Sequence, residues 1–330
     1  MPAPRACASP GRAASTAGPE PAVVLYGGKG GVGKTTCAAA HALTHAERAP
    51  EDRTLVVSTD PAHSLGDVFD RDLSGGSTTV ADGLVAAEVD PERGQDAYRE
   101  VVEALVGEFR DAGLRLDDAD LERLFEAGLV PGGDEVAALE YLARYAGDYD
   151  LLVLDTAPTG HALRLLDLPT VLGETLGVAG EVKRRVSRGA RAARSVVFGP
   201  AAHWGASDDR DAVGPLRERV AAVGDLLRAP DRTRFRVVLA PERMAVAETE
   251  RLLARLDEAG VPVGCLVVDR AFGNPDNCSC ERCRRDADRR ARRLDEVDAR
   301  FDRPVRVVPE SDGGVESPET LRAVGARLVG

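Results

Sequence analysis

Glycine, lysine and threonine are concentrated near the amino end of the chain, where residues 27–36 read GGKGGVGKTT. The spacing G-x-x-x-x-G-K-[ST] is satisfied from Gly28 to Thr35, between a short apolar run and an alanine-rich helical pattern. Glycines let backbone N–H groups approach phosphate oxygens closely, and the following helix start adds partial positive charge. This pattern predicts a triphosphate site, with Lys34 on the β- and γ-phosphates and Thr35 placing its hydroxyl on Mg²⁺.

We call residues 28–36 the phosphate loop. All its members are predicted to contact the nucleotide or its metal, through backbone N–H groups or side chains: Gly28, Lys29, Gly30, Gly31, Val32, Gly33, Lys34, Thr35 and Thr36. A second lysine, Lys29, is not required by the ordinary form of this motif.

Two carboxylates follow short apolar runs, where a parallel sheet binds its ligands. Asp60 comes shortly after TLVVS, and Asp155 ends LLVLD. Asp155 is predicted to hold Mg²⁺ directly or through water. Asp60 lies where a carboxylate could orient an attacking water molecule.

Asp269, after the run GCLVV, is the candidate for reading the nucleotide base. A carboxylate accepts hydrogen bonds and cannot donate them. It could accept from the exocyclic amine of adenine, and equally from the two N–H groups of guanine. ATP is the expected nucleotide, and GTP remains an alternative.

The elements that must position these residues alternate along the chain. Continuous, β-branched apolar runs at 22–26, 54–58, 151–155, 235–240, 264–269 and 304–308 predict buried parallel strands, and helical patterns separate them. This alternation indicates an α/β fold with a doubly wound, mostly parallel sheet. We expect a disordered tail at 1–21 and one P-loop domain at 22–330. Helical insertions at about 92–146 and 169–231 are expected to form a subdomain.

Composition narrows the function classes. The net charge is −12 over 330 residues, which disfavours sequence-independent binding to nucleic acid. No apolar run is long enough to cross a bilayer, and residues 1–21 lack the apolar stretch of a signal peptide. We therefore expect a cytoplasmic protein that does not bind nucleic acid.

The phosphate loop, STDPAHSLGD at 58–67 and DTAPTGHALR at 155–164 together resemble the ArsA/Get family of P-loop ATPases. That family includes arsenite-pump ATPases and the ATPases that target tail-anchored membrane proteins. The resemblance extends over roughly 22–326. It implies ATP hydrolysis by a homodimer, with catalytic roles for Lys34, for Asp60 on water, and for Lys29, which reaches the partner subunit's nucleotide.

Three cysteines stand close together at Cys278, Cys280 and Cys283. The C-x-x-C pair supplies two thiolates, whereas structural zinc takes four ligands, which two copies of the chain would provide. The family resemblance assigns this shared zinc to Cys280 and Cys283. Cys278 could be a third ligand, a swap partner or a redox-active thiol, and an unliganded cluster is the alternative. Cys37 and Cys265 are expected in the core.

Three roles remain open for such an ATPase. The first is a targeting factor that shields the transmembrane helix of a client protein. The second is the catalytic subunit of an arsenite or antimonite pump, which needs about three converging thiolates. The third is a nucleotide-switched regulatory module that binds partners without transport.

Overall fold

The computed structural model describes residues 22–60, 64–74, 76–89, 133–156, 214–269, 280–308 and 317–329, together with positions 96, 99, 102, 103 and 106. The predicted tail at 1–21 and most of the two predicted insertions lie outside these residues, as does the segment 157–164. The division of the chain into tail, domain and insertions therefore stays a prediction.

The described residues form one eight-stranded sheet, in the order β3-β4-β2-β5-β1-β6-β7-β8. Every neighbouring pair is parallel except β3 and β4, which are antiparallel. The strands are β1 (Val23–Gly28), β2 (Thr54–Ser58), β3 (Thr78–Ala81), β4 (Leu84–Glu88), β5 (Leu151–Asp155), β6 (Thr233–Leu239), β7 (Val263–Val268) and β8 (Val305–Val307). The predicted doubly wound, mostly parallel α/β sheet is confirmed.

Helices cover the sheet on both faces. They are α1 (Lys34–Arg48), α2 (Ser64–Phe69), α3 (Gly133–Tyr145), α4 (Gly214–Arg228), α5 (Arg243–Ala259), α6 (Glu281–Arg300) and α7 (Pro318–Leu328). One apolar cluster joins the sheet to α3, α4, α5 and α6, and a second joins it to α1, α2 and α7. No helix within the described ranges combines the length and the apolar character needed to span a membrane.

This two-sided cover explains the continuous apolar character of the central strands. All residues of β1, β2 and β5 are buried. Successive side chains point to opposite faces. In β1, Val23 and Leu25 therefore join the first cluster, whereas Val24 and Tyr26 join the second.

Helices α3 and α4 lie at the ends of the two predicted insertions, and both belong to the core layer of the sheet. Val136 and Leu142 of α3, and Val220 and Leu227 of α4, are buried in the first cluster with the strands. A separate helical subdomain is not observed in the described parts of 92–146 and 169–231.

The β3–β4 hairpin was missed by the sequence analysis. Its turn is Asp82–Gly83, a pair that favours two-residue hairpin turns, and Gly83 has a φ of 70°. β3 is the edge strand and is only partly buried, so it lacks the continuous apolar run that identified the other strands.

The position of β1 defines where a ligand binds. From β1 the chain crosses through α1 to β2 on one side, while β6 pairs with β1 on the other. In open α/β sheets, the crevice at the carboxyl ends of strands flanking such a switch point is the ligand site. The phosphate loop leaves β1 at this crevice.

Candidate functional site

The phosphate loop begins with a close approach of two backbones. Gly28 has a φ of 152°, and a Cβ atom placed on it would lie 2.1 Å from the carbonyl oxygen of Val238 in β6. Gly33 adopts a left-handed conformation, with a φ of 87°, and caps α1. Side chains at these positions would disrupt the loop, which explains the requirement for glycine there.

Helix α1 presents its amino end to the crevice. Its N-cap residue is Gly33, which has no side chain to cap the helix, and its first turn contains no acidic residue. The partial positive charge of this helix start favours an anion. Lys34 is buried, and its Nζ donates to the carbonyl oxygen of Lys29 at 3.4 Å. The loop thus folds around the lysine predicted to contact the phosphates.

Asp155, at the end of β5, is hydrogen-bonded to both the phosphate loop and the end of β2. Its Oδ2 accepts hydrogen bonds from the hydroxyl of Thr35 at 2.7 Å and from that of Ser58 at 2.9 Å. The side chain is completely buried. Burial raises the pKa of Asp155 to about 6, although the two hydrogen bonds and the charge of Lys34 oppose this shift.

The residues at Asp155 fit a magnesium ion. Oδ1 of Asp155 is buried and has no hydrogen-bond partner among the described residues. A buried carboxylate oxygen without a donor is costly unless a cation or water meets it. Oxygen ligands from a carboxylate and a hydroxyl are those that Mg²⁺ prefers. Asp155 and Thr35 would hold the ion, which supplies positive charge to the phosphates when bound.

Asp60 lies beside this pair. It is half-buried just beyond β2, and its backbone N–H donates to the hydroxyl of Ser58 at 3.3 Å. Its negative charge is among the causes that raise the pKa of Asp155. Two sequence-predicted acids, Asp60 and Asp155, therefore stand together next to the phosphate loop, with Ser58 bonded to both.

Glu88 was not predicted as part of the site. It ends β4 and is buried, and its Oε1 accepts hydrogen bonds from the backbone N–H groups of Leu65 and Gly66, both at 3.0 Å. These groups belong to the first turn of α2, which follows Asp60. Glu88 thus anchors the segment after Asp60 to the carboxyl edge of the sheet. The signal that could have found it is an acid at the end of an otherwise apolar strand.

Lys29 contacts an acid of its own chain in this structure. Its Nζ lies 3.6 Å from Oε2 of Glu248 on α5. Gly28 and Lys29 line a small pocket with Val238, Leu239, Ala245, Glu248, Thr249 and Leu252. Glu248 was also missed by the sequence analysis, because it is one charged residue in a helix of alternating charge.

Asp269, the predicted base-reading residue, lies against the phosphate loop. It follows β7 and is buried, and its backbone N–H donates to the carbonyl oxygen of Leu239 at 3.0 Å. A Cβ atom placed on Gly33 would lie 2.2 Å from Oδ2 of Asp269. The carboxylate is thus packed at the start of α1, and its role in base recognition stays a prediction.

The prediction that Cys37 and Cys265 lie in the core is confirmed. Cys37 and Cys265 are buried in the core, and burial raises the pKa of both thiols. Cys280 is exposed, directly before α6. Cys283 lies in the first turn of α6, but its side chain is not among the described parts of the structure. Cys278 lies outside the described residues. Among the described residues no group of three or more metal-binding side chains is found.

A glycine-rich loop between the central strand and the start of a helix, with a buried carboxylate bonded to the loop's threonine, defines a P-loop nucleotide hydrolase. A family model described as "Anion-transporting ATPase" matches residues 22–330. The chain therefore belongs to the anion-transporting ATPase family, and it is an ATPase.

Individual relatives agree with this family. "ATPase GET3B" of Arabidopsis thaliana is 37% identical over 277 residues, which cover 78% of this chain and 66% of that protein. "ATPase GET3" of Zygosaccharomyces rouxii is 30% identical over 319 residues, covering 91% of this chain and 87% of that protein. "Putative arsenical pump-driving ATPase" of Prosthecochloris vibrioformis is 33% identical over 259 residues, which cover 77% of this chain and 62% of that protein. The match thus spans just under two thirds of the length of the first of these relatives.

Proposed function

We propose that this ATPase works as a cytoplasmic homodimer that binds the transmembrane helix of a tail-anchored client protein and releases it on ATP hydrolysis. The proposal rests on the resemblance of its nucleotide motifs to the targeting ATPases and on its similarity to proteins named GET3. ATP is the proposed nucleotide. Because Asp269 would also accept from guanine, competition between ATP and GTP tests this choice.

The contact between the nucleotide site and the following segment supports a switch. Asp155 is bonded to Thr35 of the phosphate loop and is the last residue of β5. The chain continues from it into 157–164, the third motif of the family resemblance. A change at the phosphate end of the site therefore acts directly on the residue from which this segment departs.

The chemistry proposed for the site divides among five side chains. Lys34 and the backbone of the phosphate loop hold the triphosphate, and Thr35 and Asp155 hold Mg²⁺. Asp60 orients the attacking water. Lys29 of the partner subunit adds positive charge to the transferred phosphoryl group, which lowers the barrier by electrostatic stabilisation.

The dimer is proposed to share one zinc ion between the C-x-x-C pairs of its two subunits. Cys280 and Cys283 would each contribute once from each copy, which gives the four ligands of a structural site. The exposure of Cys280 at the start of α6 supports access by a second copy. Elemental analysis should give about one zinc per two chains, and Cys280→Ser should remove it.

Arsenite efflux is the second candidate, because relatives named as putative arsenical pump-driving ATPases match at 33% identity. Two observations count against it. Cys37 and Cys265 are buried with raised pKa values, so neither is a ready thiolate ligand. Of the remaining four thiols, Cys7 lies in the predicted tail, and the other three lie in the segment 278–283 that is proposed to bind zinc. Stimulation of hydrolysis by arsenite or antimonite would favour this candidate.

The proposed function is tested by capture of a client. The purified chain is mixed with a tail-anchored protein and, as a matched control, with the same protein whose apolar helix is replaced by a polar sequence. Complexes are isolated with and without Mg·ATP, using wild type, Asp60→Asn and Lys34→Ala. Asp60→Asn should bind ATP, hydrolyse it slowly and keep the client longest.

Lys34→Ala should lose nucleotide binding and, with it, nucleotide-dependent capture. The targeting role is wrong if the client is retained equally in all conditions, or if the polar control binds as well as the apolar helix. Unchanged turnover in Asp60→Asn would remove Asp60 from the catalytic residues. It would not affect the conclusion drawn from client capture by the wild-type protein.

A further inference from the structure

Lys29 and Glu248 form an ion pair within one chain, between the phosphate loop and α5. The distance from Nζ to Oε2 is 3.6 Å, and the two side chains are 40% and 28% exposed. Lys29 is also the lysine proposed above to serve the partner subunit's nucleotide. One ammonium group therefore has two competing acceptors, one in its own subunit and one across the dimer.

The surroundings of Glu248 favour retention of this pair. Oε2 of Glu248 is buried and makes no hydrogen bond within the described part of the chain. The pocket around it is lined mainly by apolar side chains, namely Val238, Leu239, Ala245 and Leu252. An ionised oxygen placed against apolar walls is poorly solvated, so a nearby ammonium group stabilises it more than it would in open water.

The pair also fixes the direction of Lys29. Gly28 is packed against the carbonyl oxygen of Val238, so the loop backbone before Lys29 is held close to β6. Helix α5 packs on the same strand, because Ala245 and Leu252 share a cluster with Leu239. Glu248 thus holds the lysine toward α5 of its own subunit.

We propose that Glu248 is a positioning residue that retains Lys29 in its own subunit until ATP-dependent closure of the dimer transfers the lysine to the partner's nucleotide. The inference rests on the proposed dimer. It adds a specific restraint: closure must break the Lys29–Glu248 pair. Glu248 therefore keeps Lys29 from entering the partner's nucleotide site before the dimer closes.

The pair itself can be tested without nucleotide. Lysine occurs in the chain at positions 29, 34 and 183, so reaction with an acylating reagent can be assigned to each lysine by mass spectrometry. In the nucleotide-free protein, Glu248→Gln should raise the labelling rate of Lys29 roughly 2- to 5-fold, as expected for release of a partly exposed ion pair. Lys34, which is buried, serves as an internal reference.

Glu258→Gln is the matched control, because Glu258 lies on the same helix and pairs at the surface with Arg255 at 3.3 Å. It should leave Lys29 labelling unchanged. Glu248→Asp keeps the charge on a shorter side chain and gives an intermediate rate, which provides a second variant if Glu248→Gln does not fold. Equal labelling of Lys29 in wild type and both Glu248 variants overturns the proposal.

The consequence for closure is measured by sedimentation of the dimer at several concentrations of Mg·ATP, because a closed dimer is more compact and sediments faster. Glu248→Gln should close at a roughly 2- to 5-fold lower concentration of Mg·ATP than wild type, because closure no longer separates an ion pair. In a Lys29→Ala background, Glu248→Gln should not change closure, because the ammonium group that Glu248 retains is already absent.

Different results would contradict the role of Glu248 and the proposed dimer. If the wild-type dimer closes with Mg·ATP and Lys29→Ala lowers turnover, but Glu248→Gln closes at the same Mg·ATP concentration as wild type, the role of Glu248 is wrong and the dimer stands. If wild type stays monomeric at every ATP concentration, the proposed dimer is wrong, and with it the transfer of Lys29 to a partner.

Discussion

Thr35 and Asp155 are joined by a 2.7 Å hydrogen bond, although Thr35 lies in the first turn of α1 and Asp155 ends β5. The register of the sheet explains this contact, because Tyr26 of β1 pairs with Asp155 of β5. Parallel neighbours end at the same edge, so the loop that leaves β1 returns over the end of β5. The same edge carries Ser58, the second donor to Asp155.

Replacing Thr35 with valine tests the role of this hydroxyl. Valine keeps the shape of threonine but donates no hydrogen bond, so Oδ2 of Asp155 loses one of its two donors and Mg²⁺ loses a ligand. We expect ATP affinity measured by calorimetry to lose most of its dependence on Mg²⁺. Thr35→Ser retains the hydroxyl and should behave like wild type. A Thr35→Val protein that still binds ATP more tightly with Mg²⁺ would contradict the assignment.

Asp155→Asn separates the stability of the protein from metal binding. Burial raises the pKa of Asp155 to about 6, which means that the carboxylate is destabilised where it stands. A neutral amide avoids this cost. The variant should therefore unfold at the same or a higher temperature than wild type when nucleotide and metal are both absent.

The same variant should lose the extra stabilisation that Mg·ATP gives to wild type, since a ligand stabilises only in proportion to its binding. Thermal unfolding with and without Mg·ATP measures both effects. A lower melting temperature for the ligand-free variant would show that the carboxylate has a structural role instead. An unchanged response to Mg·ATP would remove Asp155 from the metal ligands.

Gly28→Ala tests the close approach of the loop to β6. The new methyl group would meet the carbonyl oxygen of Val238 at 2.1 Å, and Gly28 has a φ of 152° that alanine rarely adopts. We expect a loss of roughly 1–3 kcal/mol in the free energy of unfolding and a weaker affinity for ATP. Gly147→Ala is the control, because a Cβ atom there has no heavy atom within 4 Å. Denaturant unfolding and ATP titration of both variants make the comparison.

The sequence identified the parts of the site that depend on local order along the chain. The phosphate loop, Asp60 and Asp155 each follow an apolar run, and parallel strands bring such positions to one edge, so their convergence could be predicted before the structure. The bounds of β2 and β5 were also predicted correctly. Both strands are buried on two faces, which gives an unambiguous apolar run.

Glu88 and Glu248 could not be predicted in the same way. Each is a single carboxylate whose partner lies on another element, and the contact depends on how α2 and α5 pack on the sheet. Likewise, the helical pattern at the ends of the two predicted insertions does not say which surface each helix covers. The structure shows that α3 and α4 cover the sheet, because their apolar residues share a cluster with the central strands.

Glu88 provides a test of how the segment after Asp60 is held. Its Oε1 accepts two backbone hydrogen bonds from the first turn of α2, and a carboxylate is also favoured near the positive end of a helix. Glu88→Ala would leave the N–H groups of Leu65 and Gly66 buried without this acceptor, at a cost of roughly 2–4 kcal/mol. We expect the turnover number to fall well beyond any change in ATP affinity, because α2 follows Asp60 whereas the phosphate loop is untouched.

Glu88→Gln keeps an oxygen acceptor without the charge and should restore most of the turnover. Asp67→Asn is the matched control, since Asp67 is an exposed acid in the first turn of the same helix. Steady-state hydrolysis and ATP binding should be measured for all three variants. Equal turnover in Glu88→Ala and Asp67→Asn would mean that the anchoring of α2 does not position Asp60. Equal losses of ATP affinity and turnover in Glu88→Ala would instead point to a general loss of structure at this edge of the sheet.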